Sequence, residues 1–559
     1  MRNPKKFYPF LVYLLFLISC LHPCQAATPP AAAIASAHPL ATEAGHEILA
    51  AGGNAFDAAV AITAALAVVE PYSSGLGGGG FWLLHCARDD YETMLDGREK
   101  APLAAHRDMY LDPQGDVIPN LSVDGALAAA IPGTPAAIVH LAERYGRLPL
   151  SKSLAPAIRL ARNGFVVDER YRNLAAFRLE ALRSSKAAAE VFLENNEVPA
   201  VGFIIKQPDL ATTLEAIAKH GTKGFYKGPV ATQLVNEVRA ANGIWSQDDL
   251  NNYAVVERKP VRGEYRGIHI TSAAPPSSGG VALVTMLNIL AGYDLESLPE
   301  ATRTHLIIEA MRRAYRDRAE YLGDPDFVKV DIQSLTHPLY AAGLRASIQT
   351  DHATPSDSLP GTASSAAGTH TTHFSVLDRA GNRVAATLTV NFPFGSGFMV
   401  PGTGVLLNDE MDDFSAKPGA PNLYGLIGGE ANAIAPGKRP LSSMTPTFLE
   451  NKRGVAILGT PGGSRIISMV LLATLDFAAG HGPDSWVNLK RFHHQFLPDV
   501  VQYEAGAFSP DVVEKLQAFG HTLGKPEESY GNMQAILWDY KQGVSAASDP
   551  RGGGKAEVR

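Results

Sequence analysis

Gly-Thr-His-Thr-Thr-His-Phe-Ser-Val-Leu-Asp-Arg-Ala-Gly-Asn-Arg-Val-Ala-Ala-Thr-Leu-Thr-Val-Asn, residues 368–391, is the stretch around which the rest of the chain is organised. The residues before it, 353–368, are mostly Ala, Ser, Thr, Gly and Pro, a composition typical of an exposed tether. Residues 371–378 then alternate polar and apolar side chains, 379–382 carry turn residues, and 383–391 are rich in Val, Thr and Ala. This pattern predicts a β-hairpin that follows a loose tether.

The first strand of this hairpin has one polar and one apolar face. Because successive side chains of a strand point to opposite faces, Thr371, His373 and Ser375 share one face, and Phe374 and Val376 lie on the other. The sequence therefore predicts polar groups on one side of a strand whose other side is buried.

The threonine that opens the strand points to a specific chemistry. With a turn centred on residues 380 and 381, antiparallel pairing brings Thr389 to within about one residue of the position opposite Thr371. The Thr371 hydroxyl would attack the carbonyl of His370, shift the acyl group from nitrogen to oxygen, and leave an ester for water to cut. Thr371 would then begin a new chain, with an α-amine of pKa about 7.7–8.0 as a general base beside its own nucleophile. Taken alone, the hairpin favours an ordinary strand start, since Thr has a high strand propensity.

Composition describes a large globular protein. The chain has 559 residues, of which 46% are hydrophobic and 19% are charged, so the sequence predicts either two or more ordinary domains or one large layered unit. A formal net charge of −7 argues against nucleic acid or an anionic membrane surface as the main partner.

The first 26 residues have the layout of a secretory signal peptide. Arg2, Lys5 and Lys6 precede an apolar run at 7–21 that is too short to span a bilayer comfortably. Cleavage after Ala26 is one option. Leu-Ile-Ser-Cys at 17–20 also resembles a bacterial lipobox, which would make Cys20 a lipidated N-terminus. Both options predict export to the periplasm or beyond, with a membrane contact only if Cys20 is lipidated.

Several familiar catalytic and cofactor motifs are absent. The Gly-rich run at 75–80 has no Lys-Ser/Thr after it, so nucleotide binding is not predicted. No Gly-x-Ser-x-Gly occurs, which removes the usual serine-hydrolase elbow. His493 and His494 have no further cluster of metal-ligating residues beside them and are interpreted as structural. The sequence therefore predicts neither a cofactor nor a metal.

Residues 309–322 form a highly charged predicted helix. Because the signs are mixed, a solvated face with ion pairs is favoured over a nucleic-acid patch. The charges concerned are Arg312, Arg313, Arg316, Arg318, Glu309, Asp317 and Glu320.

Four further motifs place the hairpin in a family. They are Asp-Gly-Arg-Glu-Lys-Ala-Pro at 96–102, Asn-Asp-Glu-Met-Asp-Asp-Phe at 408–414, Arg-Pro-Leu-Ser-Ser-Met at 439–444 and Pro-Gly-Gly-Ser-Arg at 461–465. Together with Thr-Thr-His-Phe-Ser-Val at 371–376, they resemble the γ-glutamyltranspeptidase family in both order and spacing. The resemblance extends from about residue 38 to residue 551.

The resemblance implies a fold and a processing event. The expected fold is α+β, the four-layer αββα arrangement of the N-terminal nucleophile hydrolases, with two stacked, mostly antiparallel sheets between helical layers. The expected precursor is cut between His370 and Thr371 into a large subunit, residues 27–370, and a small subunit, residues 371–559, which starts with the nucleophile.

The resemblance also implies how a γ-glutamyl donor is held. Its α-carboxylate and α-ammonium need separate charged partners, because buried charges must be paired or hydrogen-bonded. The implied carboxylate contacts are Arg98, Ser442 and Ser443, and the implied ammonium contacts are Asn391, Glu410 and Asp413. The family usually has a bulkier residue where this chain has Gly97.

The implied catalytic residues surround Thr371. Gly462 and Gly463 would form an oxyanion hole at a helix start. Thr389 would hydrogen-bond the nucleophile, and Tyr424, in a Gly- and Pro-rich lid loop, would wall off the pocket.

The expected function is transfer of the γ-glutamyl group of glutathione and related amides to water, an amino acid or a dipeptide. A cephalosporin or glutaryl acylase of the same superfamily is an alternative, although such an enzyme should lack an ammonium anchor such as Asp413. A non-catalytic exported binding protein is a second alternative, and its chain would remain uncut.

Overall fold

The fold is a sandwich of two antiparallel sheets between helices, seen in a computed structural model that describes residues 28–359, 371–417, 428–525 and 529–559. The predicted signal peptide, the bond between residues 370 and 371, and Tyr424 lie outside the described residues.

The strands of the described ranges are numbered in chain order. They are β1 (Ala33–Ser36), β2 (Gly79–Cys86), β3 (Tyr91–Gly97), β4 (Phe165–Val166), β5 (Ile204–Ile205), β6 (Val256–Arg258), β7 (Val261–Tyr265), β8 (Ile268–Ser272), β9 (Thr372–Leu377), β10 (Arg383–Thr389), β11 (Met399–Val400), β12 (Val405–Leu406), β13 (Thr447–Glu450), β14 (Gly454–Gly459), β15 (Phe492–His493), β16 (Val501–Tyr503), β17 (Leu523–Gly524), β18 (Gln534–Asp539), β19 (Gly543–Ser548) and β20 (Lys555–Val558).

The α-helices of the same ranges lie mainly outside the sheets. They are Pro39–Ala50, Ala55–Val69, Thr134–Arg144, Leu150–Asn163, Glu169–Phe177, Leu179–Ser184, Lys186–Phe192, Pro208–His220, Lys223–Tyr226, Gly228–Ala240, Gln247–Asn251, Gly279–Leu290, Glu300–Tyr321, Ile332–Leu335, Pro338–Ala346, Ile466–Ala478, Pro483–Asn488 and Pro510–Ala518.

The predicted hairpin forms the centre of the first sheet. This seven-stranded sheet has the order β20-β1-β9-β10-β2-β3-β6, and every neighbouring pair is antiparallel. Leu388 of β10 lies opposite Thr372 of β9, so the same register continued by one residue puts Thr389 opposite Thr371. The predicted hairpin and its register are confirmed.

The second sheet covers the polar face of the hairpin. It has six antiparallel strands in the order β19-β18-β14-β13-β8-β7. The Ser375 hydroxyl lies 3.3 Å from the carbonyl oxygen of Ile457 in β14 and 3.1 Å from that of Gln534 in β18. The polar side of β9 is therefore enclosed between the two sheets, where its side chains need internal hydrogen-bond partners.

Apolar helices cover the outer faces of both sheets and complete the four layers. Helix Ala55–Val69 is buried along its whole length and packs with Phe374 and Val376, as expected for a helix that is hydrophobic all round. It begins with a capping box in which the Asn54 side chain accepts from the Asp57 backbone N–H and the Asp57 carboxylate accepts from the Asn54 N–H. Helices Gly279–Leu290 and Ile466–Ala478 share the core of the second sheet. The predicted α+β fold class is confirmed.

The prediction of a solvated face for the charged helix is wrong. Within helix Glu300–Tyr321, Glu309, Arg312, Arg313 and Arg318 are all at most 4% exposed. Glu309 accepts from the Arg312 Nε at 3.1 Å and also pairs with Arg313, and Asp499, outside the helix, pairs with Arg312 as well. Oppositely charged side chains at i, i+3 and i, i+4 are compatible with a buried helix as well as with a solvent-exposed one. The reason is that a charged side chain can be buried when it is paired with an opposite charge.

Within the described ranges, every helix is too short or too polar to cross a bilayer.

Candidate active site

A cavity of about 320 Å³, including its open mouth, lies where the β9–β10 hairpin meets the segments that follow β10 and β14. It collects residues from far apart in the chain. Its lining consists of Arg98, Arg318, Thr371, Thr389, Asn391, Glu410, Asp413, Ser442, Ser443, Met444, Gly463, Ser464 and Ile466.

Thr371 and Thr389 stand side by side at the cavity end of the hairpin. Both are nearly inaccessible, at 5% and 3% exposure. The Thr389 hydroxyl oxygen accepts a 2.7 Å hydrogen bond from the backbone N–H of Asn391, whose φ of +74° falls in the left-handed region that Asn tolerates. This turn directs Asn391 toward the cavity as the chain leaves β10.

Arg98 also lines the cavity and is 1% exposed. Its guanidinium pairs with Glu410 and Asp413, and its Nε donates to the carbonyl oxygen of Pro440 at 3.2 Å. The carboxylate of Glu99 lies 3.6 Å from Nη1. Burial alone would lower the pKa of Arg98, but the three carboxylates together raise it. One guanidinium thus faces three carboxyl groups, so acids outnumber bases on this side of the site.

Burial strongly perturbs the acids around Arg98. It raises the pKa of Glu99 to about 7, against the lowering effect of Arg98. Burial also raises the pKa of Glu410 and of Asp409 well above the usual range of carboxyl groups. Of these three acids, Glu410 lines the cavity, and a strongly perturbed acid in a cavity is typical of a functional site.

Two adjacent serines close the side of the cavity next to Arg98. The backbone N–H of Ser442 donates to Pro276 O at 2.8 Å, and the Ser442 carbonyl accepts from the Ser278 hydroxyl at 2.7 Å. The Ser443 hydroxyl is buried without a hydrogen-bond partner among the described residues. Because buried polar groups normally have hydrogen-bond partners, an unpartnered hydroxyl in a cavity wall is typical of a site that binds a polar ligand.

The two predicted oxyanion glycines form the turn between β14 and helix Ile466–Ala478. Gly462 has a φ of +144° and Gly463 a φ of +55°, values that a side chain disfavours. Gly463 lines the cavity and starts a short 3₁₀ turn into the helix, whereas Gly462 lies just behind the lining. A helix N-terminus that opens on a cavity favours a developing negative charge there.

The structure brings most of the predicted site residues into one place. Of the predicted set within the described residues, all but Gly462 line the cavity. Asp413 pairs with Arg98, while its neighbour Asp412 accepts from the Ser122 hydroxyl at 2.7 Å outside the lining. Sequence reasoning missed Arg318 and Glu99. Arg318 was placed on a solvated face, and the only signal for Glu99 was its position next to Arg98.

A buried group of His305, Glu309 and His521 has potential metal-ligand atoms within 4.8 Å of one another. His305 Nδ1 is 2.8 Å from His521 Nε2, and Glu309 already pairs with Arg312 and Arg313. Two guanidinium groups on the carboxylate disfavour a cation, so the group fits an internal hydrogen-bond network. It does not line the cavity.

Comparison with known sequences assigns this arrangement to one family. The sequence profile described as Gamma-glutamyltranspeptidase matches residues 41–558. The glutathione hydrolase proenzyme of Escherichia coli (strain K12) is 43% identical over 526 residues, which cover 93% of this chain and 90% of that protein. The glutathione hydrolase proenzyme of Pseudomonas aeruginosa is 42% identical and covers 95% of both chains.

Solved structures share the architecture. The cephalosporin acylase from Bacillus halodurans superposes with a TM-score of 0.82 at 26% identity and covers 100% of this chain and 99% of its own. A chain of Helicobacter pylori gamma-glutamyltranspeptidase superposes with a TM-score of 0.57 at 43% identity, over 58% of this chain and 94% of its own.

Proposed function

The chain belongs to the γ-glutamyltranspeptidase family, and we propose on that premise that Thr371 is its nucleophile and that the cavity beside Thr371 holds the γ-glutamyl group of the donor. Members of the family are enzymes with the N-terminal nucleophile fold, act on glutathione and other γ-glutamyl compounds, and are processed from one precursor into two subunits. The chain is accordingly a γ-glutamyltransferase and glutathione hydrolase.

The nucleophile is exposed by cleavage between His370 and Thr371. The precursor then becomes a large subunit, residues 27–370, and a small subunit, residues 371–559. Two observations support this division: Thr371 stands at the edge of the cavity, directly before β9, and the superposed Helicobacter pylori chain spans 58% of this chain at 94% of its own length. Residues 27–370 make up about three fifths of the sequence, close to that share.

Acyl transfer then uses Thr371 and the glycine turn beside the cavity. The Thr371 Oγ1 attacks the γ-carbonyl carbon of the donor while the α-amine of Thr371 takes the hydroxyl proton. The backbone N–H groups of Gly462 and Gly463 receive the negative charge that develops on the carbonyl oxygen. The same proton passes to the departing amine, the γ-glutamyl ester remains on Thr371, and water or the amine of an amino acid or dipeptide then cleaves the ester.

Donor recognition exchanges one set of ion pairs for another. In the structure, Arg98 pairs with Glu410 and Asp413. A bound γ-glutamyl group offers its carboxylate to Arg98, Ser442 and Ser443, and its ammonium to Asn391 and the two freed carboxylates. Because charges are exchanged rather than left unpaired, a ligand that lacks either charged group leaves one set of partners uncompensated.

The observation that carries this proposal is that Thr371, Arg98 and Asp413 line one cavity. Residue 98 is hundreds of positions away from both other residues in the sequence, so only the fold brings the three together.

Thr371→Ala should leave one uncut chain without release of a γ-glutamyl chromophore, because neither nucleophile nor cleavage remains. The matched variant Thr371→Ser keeps both hydroxyl and amine and should still be cut. A denaturing gel should show a small subunit of about one third of the 59.5 kDa chain in the wild type and Thr371→Ser only. Activity retained in uncut Thr371→Ala protein would refute the assignment.

A glutaryl or cephalosporin acylase is the competing function, favoured by the high TM-score of the Bacillus halodurans enzyme. The pairing of Glu410 and Asp413 at Arg98 argues against it, because a glutaryl donor has no ammonium to compensate these carboxylates. A higher kcat/KM for glutaryl than for γ-glutamyl anilides would establish the competitor.

We further infer export of the enzyme, on the layout of residues 1–26, and acceptance of amino acids or dipeptides by the acyl enzyme. N-terminal sequencing of both subunits would report the export cut and the internal cut in one experiment.

A further inference from the structure

Arg318 is a buried cation in the wall of the cavity that the proposed reaction does not yet use. It is 4% exposed and lines the cavity together with Arg98, Asp413 and Ser442. Its Nε donates to the Ser278 hydroxyl at 3.0 Å. Among the described residues, no carboxylate oxygen comes within 4.0 Å of its guanidinium, unlike the case of Arg98.

An uncompensated buried charge calls for a ligand. Burying an ionised group is costly unless it is paired, and the other buried arginines of the same helix, Arg312 and Arg313, are both paired with Glu309. Burial lowers the pKa of Arg318 to about 10, which leaves it charged at neutral pH. Arg318 is therefore a cation held at a cavity wall without the partner that its helix provides elsewhere.

The surroundings of Arg318 indicate which anion it meets. Ser278, its hydrogen-bond partner, donates both its hydroxyl, at 2.7 Å, and its backbone N–H, at 2.8 Å, to the carbonyl of Ser442. The Arg318 side chain thus lies directly behind the serine turn, where the unpartnered Ser443 hydroxyl also lies. Arg98 and Asp413 are the charges of the donor site that act on Arg318 electrostatically.

Resting on the proposed function, we propose that Arg318 supplies a second positive charge for the α-carboxylate of the γ-glutamyl donor, beside Arg98. When the donor ammonium draws Glu410 and Asp413 to itself, the carboxylate faces two guanidinium groups instead of one. This arrangement offsets the three acids around Arg98 and makes Arg318 a determinant of donor specificity rather than of the chemical step.

Three anilide donors isolate this role. A γ-glutamyl donor carries both charged groups, a glutaryl donor only the carboxylate, and a 4-aminobutyryl donor only the ammonium. Arg318→Met keeps the length of the side chain but removes the charge. We expect it to raise KM for the γ-glutamyl and glutaryl donors by about tenfold or more, and KM for the 4-aminobutyryl donor by less than about threefold, with kcat for each donor within about threefold.

Arg316→Met is the matched control. Arg316 lies on the same helix, pairs with Asp317 at 2.6 Å and does not line the cavity, so all three donors should behave as with the wild type. Arg318→Lys keeps the charge and should retain most of the preference for donors that carry the carboxylate. If Arg318→Met is not cut into subunits, Arg318→Gln takes its place in the comparison with Arg318→Lys.

Ser278→Ala separates charge from positioning, because it removes the hydroxyl that contacts both Arg318 and the Ser442 carbonyl, keeps the backbone hydrogen bond to Ser442, and retains the guanidinium. We expect its effect on KM for the glutaryl donor to be smaller than that of Arg318→Met. An equal effect of both variants, or an equal rise in KM for all three donors, would overturn the proposal in favour of a purely structural role. A wild-type enzyme with no activity toward the γ-glutamyl donor would instead contradict the proposed function, and a normal Arg318→Met in an active enzyme would contradict only this inference.

Discussion

Glu99→Gln tests whether burial beside Arg98 raises the pKa of Glu99. Glu99 is fully buried, and burial raises its pKa from 4.5 to about 7. Below about pH 4.5 the carboxyl is protonated in both the folded and the unfolded chain, so it does not affect stability. As the pH rises toward 7, the unfolded chain gains from ionisation while the folded chain does not, and the native state loses stability.

The expected magnitude follows from that rise. Each pKa unit is worth about 1.36 kcal/mol, so the ionised carboxyl costs the wild type roughly 3 kcal/mol of unfolding free energy above pH 7. Gln keeps the shape of the side chain but does not titrate. The stability difference between the variant and the wild type should therefore become more favourable to the variant by roughly this amount between about pH 5 and about pH 8.

Urea unfolding at the two pH values, in a Thr371→Ala background, measures this difference on a single uncut chain. Comparing the two pH values cancels any constant effect of the new amide on packing or hydrogen bonding. Glu514, exposed on helix Pro510–Ala518, provides the control. Glu514→Gln should change the difference by less than about 0.5 kcal/mol. A Glu99→Gln effect that is the same at both pH values would refute the account of a buried acid held at elevated pKa.

Three further variants test the parts of the site separately. Asp413→Asn should raise KM for γ-glutamyl donors far more than for glutaryl donors, because only the former carry an ammonium; equal effects on both would argue against Asp413 as the ammonium contact. Gly462→Ala places a side chain on a residue with a φ of +144°, with its Cβ 2.6 Å from the Met469 Cε. It should lower kcat by about 100-fold with little change in KM, because the turn that forms the oxyanion hole is distorted. An unchanged kcat would show that the glycine turn does not form the oxyanion hole. Gly97→Ala places a Cβ 2.8 Å from the ring of Trp82 and should lower the unfolding free energy by about 1–3 kcal/mol; an unchanged thermal midpoint would show that the ring moves aside freely.

Gly97 lies in close contact with the ring of Trp82. A side chain at residue 97 would collide with the Trp82 ring and approach Ala137 Cβ at 3.1 Å, so the indole fills the space that a bulkier residue 97 would occupy. The Trp82 Nε1 donates to the Thr63 hydroxyl at 3.1 Å, which holds the ring in place. The strand that leads to Arg98 is thus packed on its outer side in spite of the glycine.

Local patterns sufficed for the hairpin. The alternation of side chains and the turn residues between 378 and 383 predicted both strands and their polar face, and placed Thr389 within about one residue of the position opposite Thr371. The observed register agrees. Such features depend on neighbours within about twenty residues, so the sequence contains all the information needed. The ordered motifs at 96–102, 408–414, 439–444 and 461–465 likewise led to the family, to the fold class and to most of the polar residues that line the cavity.

Which charged side chains are buried could not be predicted from the sequence and was decided by the tertiary structure. The signs along residues 309–322 fitted a solvated helix, yet the helix is enclosed, with Arg318 at the wall of the cavity and Arg312 paired to Glu309. In the same way, Glu410 and Asp413 pair with Arg98, because the fold brings residue 98 beside residues 410 and 413. Whether a charge faces water, a partner or a cavity depends on segments hundreds of residues away, and no local periodicity encodes that distance.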